Sequence, residues 1–356
     1  MKDMTLFTVG PVQMYPETLR IEGTQQPYFR TPEFSTIMKE IERDFLQTIF
    51  APEGTCFFAM TCSGTGAMDA AVSNILNEKD KVLIINGGSF GNRFAELCVH
   101  YHIPFDSYKI PFRKKFDKAE FERFSQGQYS ALLVNACETS TGQKYDLDYL
   151  GEFCRKHEML FIVDAVSAYL ADSINMSKQG IDVFLTASQK ALALSPGLAL
   201  VALSQHAKER LKNNKNASYY FNFETYLENQ KRGQPPFTSA VGTVLALHQR
   251  LKSIVEQGVT SVNREHAQRA AYFRTRLESL PVELPDIPLS NCCTPVLFPK
   301  QNATIIYEEL RKKYGLVLTP SGGHWKDLQL RVGHLGALTL QDYDYLTEIL
   351  KGELLK

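Results

Sequence analysis

The 356-residue sequence contains no long hydrophobic run and no excess of charge of either sign. No apolar stretch approaches the roughly eighteen residues that a membrane-spanning helix needs. The first residues, MKDMTLFTVGPVQMYP, place an acidic residue and prolines in a short apolar run, so we expect neither a signal peptide nor a membrane span, and a cytoplasmic location. Lysine plus arginine and aspartate plus glutamate number 39 each, so we expect no nucleic-acid or membrane-surface partner.

Recognisable metal and disulfide motifs are absent as well. The seven cysteines are odd in number and form no CxxC pair, and the eight histidines include no HExxH motif. These patterns indicate neither a disulfide framework nor a zinc site. We therefore expect reduced, mostly buried cysteines and no bound metal.

What the sequence does contain is the pattern of an α/β protein, with 44% apolar and 22% charged residues, as in ordinary globular chains. Apolar runs alternate with segments of helical spacing, which predicts a mostly parallel sheet. The predicted strands lie near residues 55–61, 82–86, 106–110, 130–135, 159–164 and 182–187. A further strand at 197–203 follows after a connection that is short for a parallel crossover, so we expect it to be antiparallel and the sheet to have seven strands.

The rest of the chain predicts helices around this sheet and a second, smaller domain. Thr31 and Pro32 are the expected cap and first residue of a helix that runs to about Phe50. Two long amphipathic helices are expected near 238–256 and 263–280, followed by an α+β region. That region has predicted strands at 294–298 and 328–332 and predicted helices near 303–313 and 340–351. We accordingly divide the chain into residues 1–245, a large α/β domain, and 246–356, a small α+β domain.

One polar and aromatic segment, residues 213–237, matches no regular element and ends in two prolines. It predicts a long excursion from the domain. Exposed tyrosine and phenylalanine side chains there indicate contact with a partner subunit.

The strongest candidate site lies in two strand-like runs that each end near a charged residue. The first run stops at Asp164, and the second leads through Ser188 and Gln189 to Lys190. A crossover helix between the runs would make both strands parallel, so Asp164 and Lys190 should emerge at the same carboxyl edge of the sheet, where open α/β sheets bind ligands. Pyridoxal phosphate offers complementary groups: an aldehyde that condenses with an amine and a pyridine nitrogen that an anion keeps protonated.

Three more motifs follow predicted strands at this edge. The sequence SGTG at 63–66 precedes a helix-like segment, and such a turn offers free backbone N–H groups to a phosphate. GGSFGNR at 87–93 presents Phe90, whose flat ring can stack on an aromatic cofactor. CETSTG at 137–142 supplies hydroxyl groups and a carboxylate near a cofactor ring. Taken singly, each motif is also compatible with a helix cap, a core phenylalanine or a hydrogen-bonded turn.

In chain order, these motifs resemble those of the class V, fold-type I aminotransferases, which use pyridoxal 5′-phosphate. The matching stretches are SGTG (63–66), GGSFGNR (87–93), CETSTG (137–142), VDAVSA (163–168), TASQKAL (186–192), PFTSA (236–240) and RVGHLG (331–336). The resemblance covers nearly the whole chain. Within the family, the ETSTG and PFTS motifs are most similar to those of 2-aminoethylphosphonate:pyruvate aminotransferases. Those of alanine:glyoxylate and serine:pyruvate aminotransferases are the next most similar.

The resemblance implies a role for individual residues. Lys190 and Asp164 would be catalytic, the first as the amine that bonds the cofactor and moves a proton, the second as the partner of the ring nitrogen. Arg331 and Gly10 would bind the substrate, Arg331 by gripping its carboxylate with a planar fork. The other implied cofactor-binding residues are Ser63, Gly64, Thr65 and Gln189 at the phosphate, Phe90 on the ring face, Thr139 near the ring oxygen, and Thr238 and Ser239 reaching across from the partner subunit.

The resemblance also implies a function: transfer of an amino group from a small amino acid or aminophosphonate to a 2-oxo acid, pyruvate or glyoxylate, by a ping-pong mechanism in a homodimer. A phosphonate would need further cationic donors, for which Arg30 and Arg93 are candidates. Two alternatives stay open. A lyase of the cysteine-desulfurase kind would need a mobile nucleophilic cysteine, but no cysteine follows Cys293. A non-catalytic metabolite-binding α/β protein would need only the SGTG turn.

Overall fold

A computed structural model describes residues 4–212, 214 and 218–355, and its strands begin and end close to the predicted positions. The strands are β1 (Thr5–Leu6), β2 (Cys56–Met60), β3 (Val82–Asn86), β4 (Phe105–Lys109), β5 (Ala131–Asn135), β6 (Cys137–Glu138), β7 (Gln143–Lys144), β8 (Leu160–Asp164), β9 (Val183–Ala187), β10 (Ala199–Leu203), β11 (Cys293–Leu297), β12 (Leu316–Val317), β13 (Thr319–Pro320) and β14 (Gln329–Gly333).

Helices cover both faces of the main sheet and fill the C-terminal part. They are α1 (Pro16–Glu22), α2 (Pro32–Thr48), α3 (Gly64–Ile75), α4 (Ser89–His100), α5 (Lys118–Phe121), α6 (Leu147–Lys156), α7 (Met176–Gln179), α8 (Gln205–Leu211), α9 (Phe223–Gln230), α10 (Val241–Gln257), α11 (Val259–Leu277), α12 (Ala303–Glu309) and α13 (Leu340–Leu354). Thr31 caps α2 and Pro32 is its first residue, as predicted. Short 3₁₀ helices span Glu122–Gln126 and Gly323–Trp325, and a π-helical turn, Leu310–Tyr314, extends α12.

The main sheet has seven strands in the order β2-β10-β9-β8-β5-β3-β4. Strand β10 is antiparallel to both of its neighbours, and the remaining strands run parallel, so the predicted fold class is confirmed. All residues of β5, β8, β9 and β10 are buried. These strands read as continuous apolar runs because helices cover both faces of the sheet.

The connection between β8 and β9 differs from the expected crossover helix. Only the four residues of α7 are helical, and Gly180 ends that turn in the left-handed conformation. The preceding stretch instead makes tertiary contacts: the buried Asp172 accepts hydrogen bonds from Ser290 Oγ and from the Asn291 backbone N–H. These bonds attach the irregular part of the crossover to the C-terminal part of the chain.

The C-terminal part forms its own small sheet, in the order β11-β14-β13, with its own apolar core. An element the sequence did not indicate joins it: β1 pairs in parallel with β12, and Phe7 is fully buried in the C-terminal core. The predicted division between residues 245 and 246 falls inside α10, whose Val244 and Leu247 pack in the core of the main sheet. That division stays a prediction.

The predicted excursion at 213–237 lies partly outside the described residues, which omit Asn213 and 215–217. The described remainder contains α9, whose Phe223 and Tyr226 are buried and pack on Phe58 with ring centroids 4.8 and 5.5 Å apart. These two aromatic residues therefore belong to the core of this chain, contrary to the expectation of exposure. Tyr219 is exposed, at 85%. In the described part of the chain, no helix is both long and apolar enough to cross a bilayer.

Candidate active site

Lys190 lies in a tight turn after β9, and its side chain is buried. The turn is held by two bonds of Ser188: its backbone N–H donates to Leu198 O (2.9 Å) and its hydroxyl donates to Ser195 O (2.7 Å). Lys190 Nζ donates to the carbonyl of Val9 (2.8 Å), which precedes Gly10. Burial lowers the pKa of the Lys190 amine from its ordinary value, and Arg331 acts in the same direction.

Gly10 makes the approach of the N-terminal segment to Lys190 possible. It has a φ of +136°, and a Cβ added there would lie 2.5 Å from Lys190 Cδ. Nearby, Val9 N donates to Thr319 Oγ1 (2.9 Å), and Gly333 N donates to Phe7 O (2.7 Å). The N-terminal segment therefore runs between Lys190 and the small sheet that carries Arg331.

Asp164 ends β8, the neighbour of β9 in the main sheet, and is 6% exposed. Its carboxylate accepts hydrogen bonds from Val166 N (2.8 Å) and Asn135 Nδ2 (2.6 Å). Burial raises the pKa of the Asp164 carboxyl, while these two hydrogen bonds and the positive charge of Lys190 act in the opposite direction. Asp164 and Lys190 thus follow the carboxyl ends of adjacent parallel strands, at one edge of the sheet as predicted.

The SGTG turn forms the N-terminus of α3. Ser63 is its cap and accepts a hydrogen bond from Gly66 N (3.3 Å). Gly64 faces the residues that follow Asp164 and end β9, since a Cβ at Gly64 would lie 2.9 Å from Val166 Cγ2 and 3.6 Å from Ala187 Cβ. The turn is therefore packed beside the Asp164 and Lys190 strands.

Side chains with unsatisfied polar atoms occur among the predicted phosphate-binding residues. Gln189 Oε1 and Ser239 Oγ are both buried without a hydrogen-bond partner. Thr238 is exposed, and the next residue but one, Ala240, donates its backbone N–H to Thr61 Oγ1 of the same chain (3.2 Å). Residues 238–239 thus lie near the strand that leads into the SGTG turn.

Phe90 is half-buried in the first turn of α4, and the carboxylate of the CETSTG segment holds it there. Glu138 is fully buried and accepts hydrogen bonds from Phe90 N (3.1 Å), Gly91 N (2.9 Å) and both the N–H (3.1 Å) and hydroxyl (2.6 Å) of Ser140. Its position at a helix N-terminus is electrostatically favourable. Glu138 thereby positions the backbone that carries Phe90.

Thr139 and Arg331 link the large sheet to the small one. Thr139 Oγ1 donates to Ser167 Oγ (2.6 Å), and the Thr139 carbonyl accepts from Arg331 Nη1 (2.9 Å). Arg331 lies in β14, donates through Nη2 to Pro320 O (2.9 Å), and keeps a buried Nε without a partner. The guanidinium is thus fixed in place and retains donor capacity.

Four of the predicted residues, Gly10, Phe90, Lys190 and Arg331, line one cavity of about 690 Å³. The same cavity is lined by Lys109, Phe112 and Trp325, which the sequence interpretation missed. Lys109 ends β4, so the rule that parallel strands end at one edge could have identified it. Eight predicted residues do not line this cavity: Ser63, Gly64, Thr65, Thr139, Asp164, Gln189, Thr238 and Ser239.

The two arginines considered for a phosphonate group both make contacts within this chain. Arg30 donates to Pro235 O (2.7 Å) and Pro236 O (3.0 Å). Arg93 donates to Thr65 Oγ1 (3.0 Å) and lies over the Phe90 ring, 4.8 Å from its centroid. Arg30 is therefore a structural residue, whereas Arg93 braces the SGTG turn against α4.

Comparison with known proteins decides the family. The model of the family "Aminotransferase class-V" matches residues 15–313. The chain belongs to the class-V aminotransferases. An uncharacterized aminotransferase of Methanocaldococcus jannaschii is 32% identical to this class-V aminotransferase, covering 93% of this chain and 87% of that protein.

Two further proteins similar to this class-V aminotransferase carry more specific names. An alanine–glyoxylate aminotransferase of Callithrix jacchus is 28% identical, covering 96% of this chain and 85% of that protein. The crystal structure of an aspartate aminotransferase from Thermus thermophilus superposes with a TM-score of 0.91 at 26% identity, covering 98% of this chain and 99% of that one. The amino donor differs between the two names, so similarity alone does not select it for this class-V aminotransferase.

Proposed function

We propose that this class-V aminotransferase binds pyridoxal 5′-phosphate through Lys190 and transfers an amino group from a small amino acid or aminophosphonate to pyruvate or glyoxylate by a ping-pong mechanism. The observation that carries the proposal is the buried Lys190 amine beside Asp164 at one edge of the sheet. When bound, the cofactor supplies the carbon that takes the amino group and a ring that withdraws electrons from the substrate.

The residues present fit this cofactor. The first N–H groups of a helix have no partner within the helix. In α3 the Gly66 N–H donates to Ser63 Oγ, so the N–H groups of Gly64 and Thr65 are offered to a phosphate, together with the Thr65 hydroxyl. The buried Ser239 hydroxyl still lacks a partner and can donate to a phosphate oxygen, whereas the partnerless atom of Gln189 is Oε1, an acceptor. Phe90 would cover one face of the ring. The Thr139 hydroxyl donates to Ser167 Oγ, in the loop that follows Asp164.

Lys190 has the properties of a proton carrier. Because burial lowers the pKa of its amine, a larger share of the amine is neutral near pH 7 than in a lysine exposed to water. A neutral amine can accept a proton from the substrate Cα and return it, as general acid–base catalysis requires. The Val9 carbonyl, 2.8 Å from Nζ, orients the side chain.

Asp164 and Arg331 would hold charges at the two ends of the site. The Asp164 carboxylate keeps its anionic form more readily when a positive ring nitrogen faces it, because an opposite charge offsets the cost of burial. Arg331 would bind the substrate carboxylate with its remaining N–H groups, and its contacts with Thr139 O and Pro320 O fix the direction of the fork.

The lyase alternative receives no support from the cysteines. Cys292 and Cys293 are fully buried, and neither lines the cavity that contains Lys190. A desulfurase nucleophile must reach the substrate as an accessible thiolate. The alternative of a non-catalytic binder is disfavoured by membership of an aminotransferase family.

Absorbance and turnover test the proposal together. Protein purified with pyridoxal phosphate should be yellow, should lose its colour with borohydride, and should transaminate at least one of L-alanine, L-serine and 2-aminoethylphosphonate with pyruvate or glyoxylate. Lys190→Ala should abolish the colour and the activity, whereas Lys79→Ala, at an exposed lysine, should change neither. A colourless protein indifferent to the cofactor would support the non-catalytic binder.

We also propose a homodimer with shared active sites. Its support is the exposed Thr238 next to the partnerless Ser239 hydroxyl, together with the 85% exposure of Tyr219 on the same excursion. A second chain would cover this surface and could bring its own residues 238–239 to the phosphate of the first. The cytoplasmic location stays a prediction.

A further inference from the structure

The cavity that contains Lys190 and Arg331 is cationic. Two of its lining residues, Lys109 and Arg331, carry positively charged groups, a third is the amine-bearing Lys190, and none of the lining residues is an aspartate or a glutamate. Under the proposed function, Lys190 is taken by the cofactor and Arg331 by one substrate carboxylate. Lys109 binds neither the cofactor nor the first substrate carboxylate under that function.

Lys109 is free to bind a ligand. It is the last residue of β4, lies opposite Asn86 of β3, and is exposed. Within the described residues, its ammonium group makes no ion pair or hydrogen bond, whereas Lys81, another lysine near the same strand, is paired with Asp106 at 2.8 Å. An unpaired cation on a cavity wall attracts anions and raises their local concentration.

The position of Lys109 separates it from the cofactor phosphate. The SGTG turn follows β2 at one edge of the main sheet, and β4 forms the opposite edge. Beside Lys109, Phe112 stacks on Trp325 of the small domain, with ring centroids 3.6 Å apart and planes inclined by 19°. Both rings line the cavity, so they form an apolar wall beside the Lys109 side chain.

We propose that Lys109 determines specificity by binding a second anionic group of the substrate, so that the preferred amino donor carries two anionic groups. This inference rests on the proposed function, in which Arg331 binds the first group. The second group is recognised as an anion on a short chain, either a carboxylate or a phosphate. L-Aspartate and O-phospho-L-serine represent the two chemistries, and L-alanine represents a donor with one anionic group.

Steady-state kinetics with glyoxylate provide the first test. The wild type should show a kcat/KM at least about 10-fold higher for L-aspartate or O-phospho-L-serine than for L-alanine, because a hydrogen-bonded charge pair contributes that much or more. Lys109→Gln should reduce this preference about 10- to 100-fold, mainly through KM, and Lys109→Arg should restore most of it. Which of the two donors loses more identifies the second anion as a carboxylate or a phosphate.

Lys114→Gln is the matched control, since Lys114 is exposed a few residues further along and does not line the cavity. It should leave the donor preference unchanged. A wild type that prefers L-alanine or 2-aminoethylphosphonate, or a Lys109→Gln variant that loses the same factor for every donor, would overturn the inference.

Binding of unreactive acids separates this inference from the proposed function. Calorimetry should detect tighter binding of succinate than of propionate to the wild type, and Lys109→Gln should remove the difference. If no donor reacts but succinate is still preferred in a Lys109-dependent way, the proposed function fails and the second anion site stands. If donors react and succinate shows no preference over propionate, the anion site is refuted.

Discussion

Glu138 is the residue on which the cavity wall around Phe90 depends. Its carboxylate is fully buried and satisfied by two backbone N–H groups of α4 and by the N–H and hydroxyl of Ser140. Hydrogen bonds to a buried charged group are stronger than neutral ones, and breaking them leaves donors unsatisfied. Glu138 therefore holds together two loops that follow different strands.

Replacing Glu138 by glutamine should destabilise the protein and loosen Phe90. The amide would turn an NH₂ group towards backbone N–H donors, so we expect a loss of about 3 kcal/mol in the free energy of unfolding. Urea denaturation measures this loss, and weaker retention of pyridoxal phosphate should accompany it. Glu122→Gln, which alters an exposed carboxylate bonded to Tyr149 Oη, should change stability by less than about 0.5 kcal/mol. Equal effects of the two variants would contradict this role of Glu138.

Gly10 is the second residue whose role follows from close contact. A methyl group at Gly10 would collide with Lys190, so Gly10→Ala should displace the amine and lower kcat roughly 100-fold. Turnover and the visible absorbance of the cofactor-loaded protein measure the effect.

Gly54→Ala separates collision from backbone strain. Gly54 also has a positive φ, +82°, but a Cβ there would meet no atom within 4 Å. It should cost about 1 kcal/mol of stability and leave kcat unchanged. A Gly10→Ala enzyme with normal kcat would show that Lys190 tolerates the added methyl group.

At the scale of elements, α11 carries a buried histidine that makes folding sensitive to acid. His266 is 1% exposed, with Nδ1 2.9 Å from the Val262 carbonyl, and burial lowers its pKa to about 4, with Arg269 acting in the same direction. A base with a lower pKa in the folded than in the unfolded state binds its proton less readily when folded. The free energy of unfolding therefore falls as the pH drops below about 6.5 and continues to fall until about pH 4.

We expect His266 to account for a loss of roughly 2 kcal/mol in the free energy of unfolding between pH 7 and pH 5. Urea denaturation at the two pH values measures the loss, and His266→Gln should remove that part of it, because glutamine does not titrate. His100→Gln is the control, because it removes an exposed histidine from α4 and should leave the pH dependence of the free energy of unfolding unchanged. An unchanged pH dependence in His266→Gln would mean that other groups cause the acid sensitivity.

At the scale of the whole molecule, the proposed sharing of active sites between subunits can be tested by mixing. Lys190→Ala and Ser239→Ala subunits should each be poorly active alone. In a randomly mixed population, half of the dimers would contain one site with both Lys190 and the partner's Ser239 intact, so about one quarter of wild-type activity should return. Sedimentation should show a dimer throughout. No recovery on mixing, or a fully active monomer, would rule out shared sites.

The sequence alone determined the element types and the class of sheet. Apolar runs such as Leu160–Asp164 indicate a strand that is buried on both faces of the sheet. The short connection before β10 indicates that β10 runs antiparallel to β9. These signals are local, because they depend on the spacing of neighbours along the chain. For the same reason the sequence alone places Asp164 and Lys190 at one edge of the sheet.

Only the tertiary structure decided which loops surround those two residues. Lys190 bonds to Val9, 181 residues away, and Thr139 accepts from Arg331, 192 residues away. Contacts of such separation leave no periodic pattern in the sequence, so the passage of the N-terminal segment past Lys190, the burial of Glu138 against α4 and the stacking of Phe112 on Trp325 could not be predicted. Lys109 differs from these, because the end of a parallel strand at the same edge of the sheet could have indicated it. They arise from the packing of the C-terminal part and the N-terminal segment on the carboxyl edge of the main sheet.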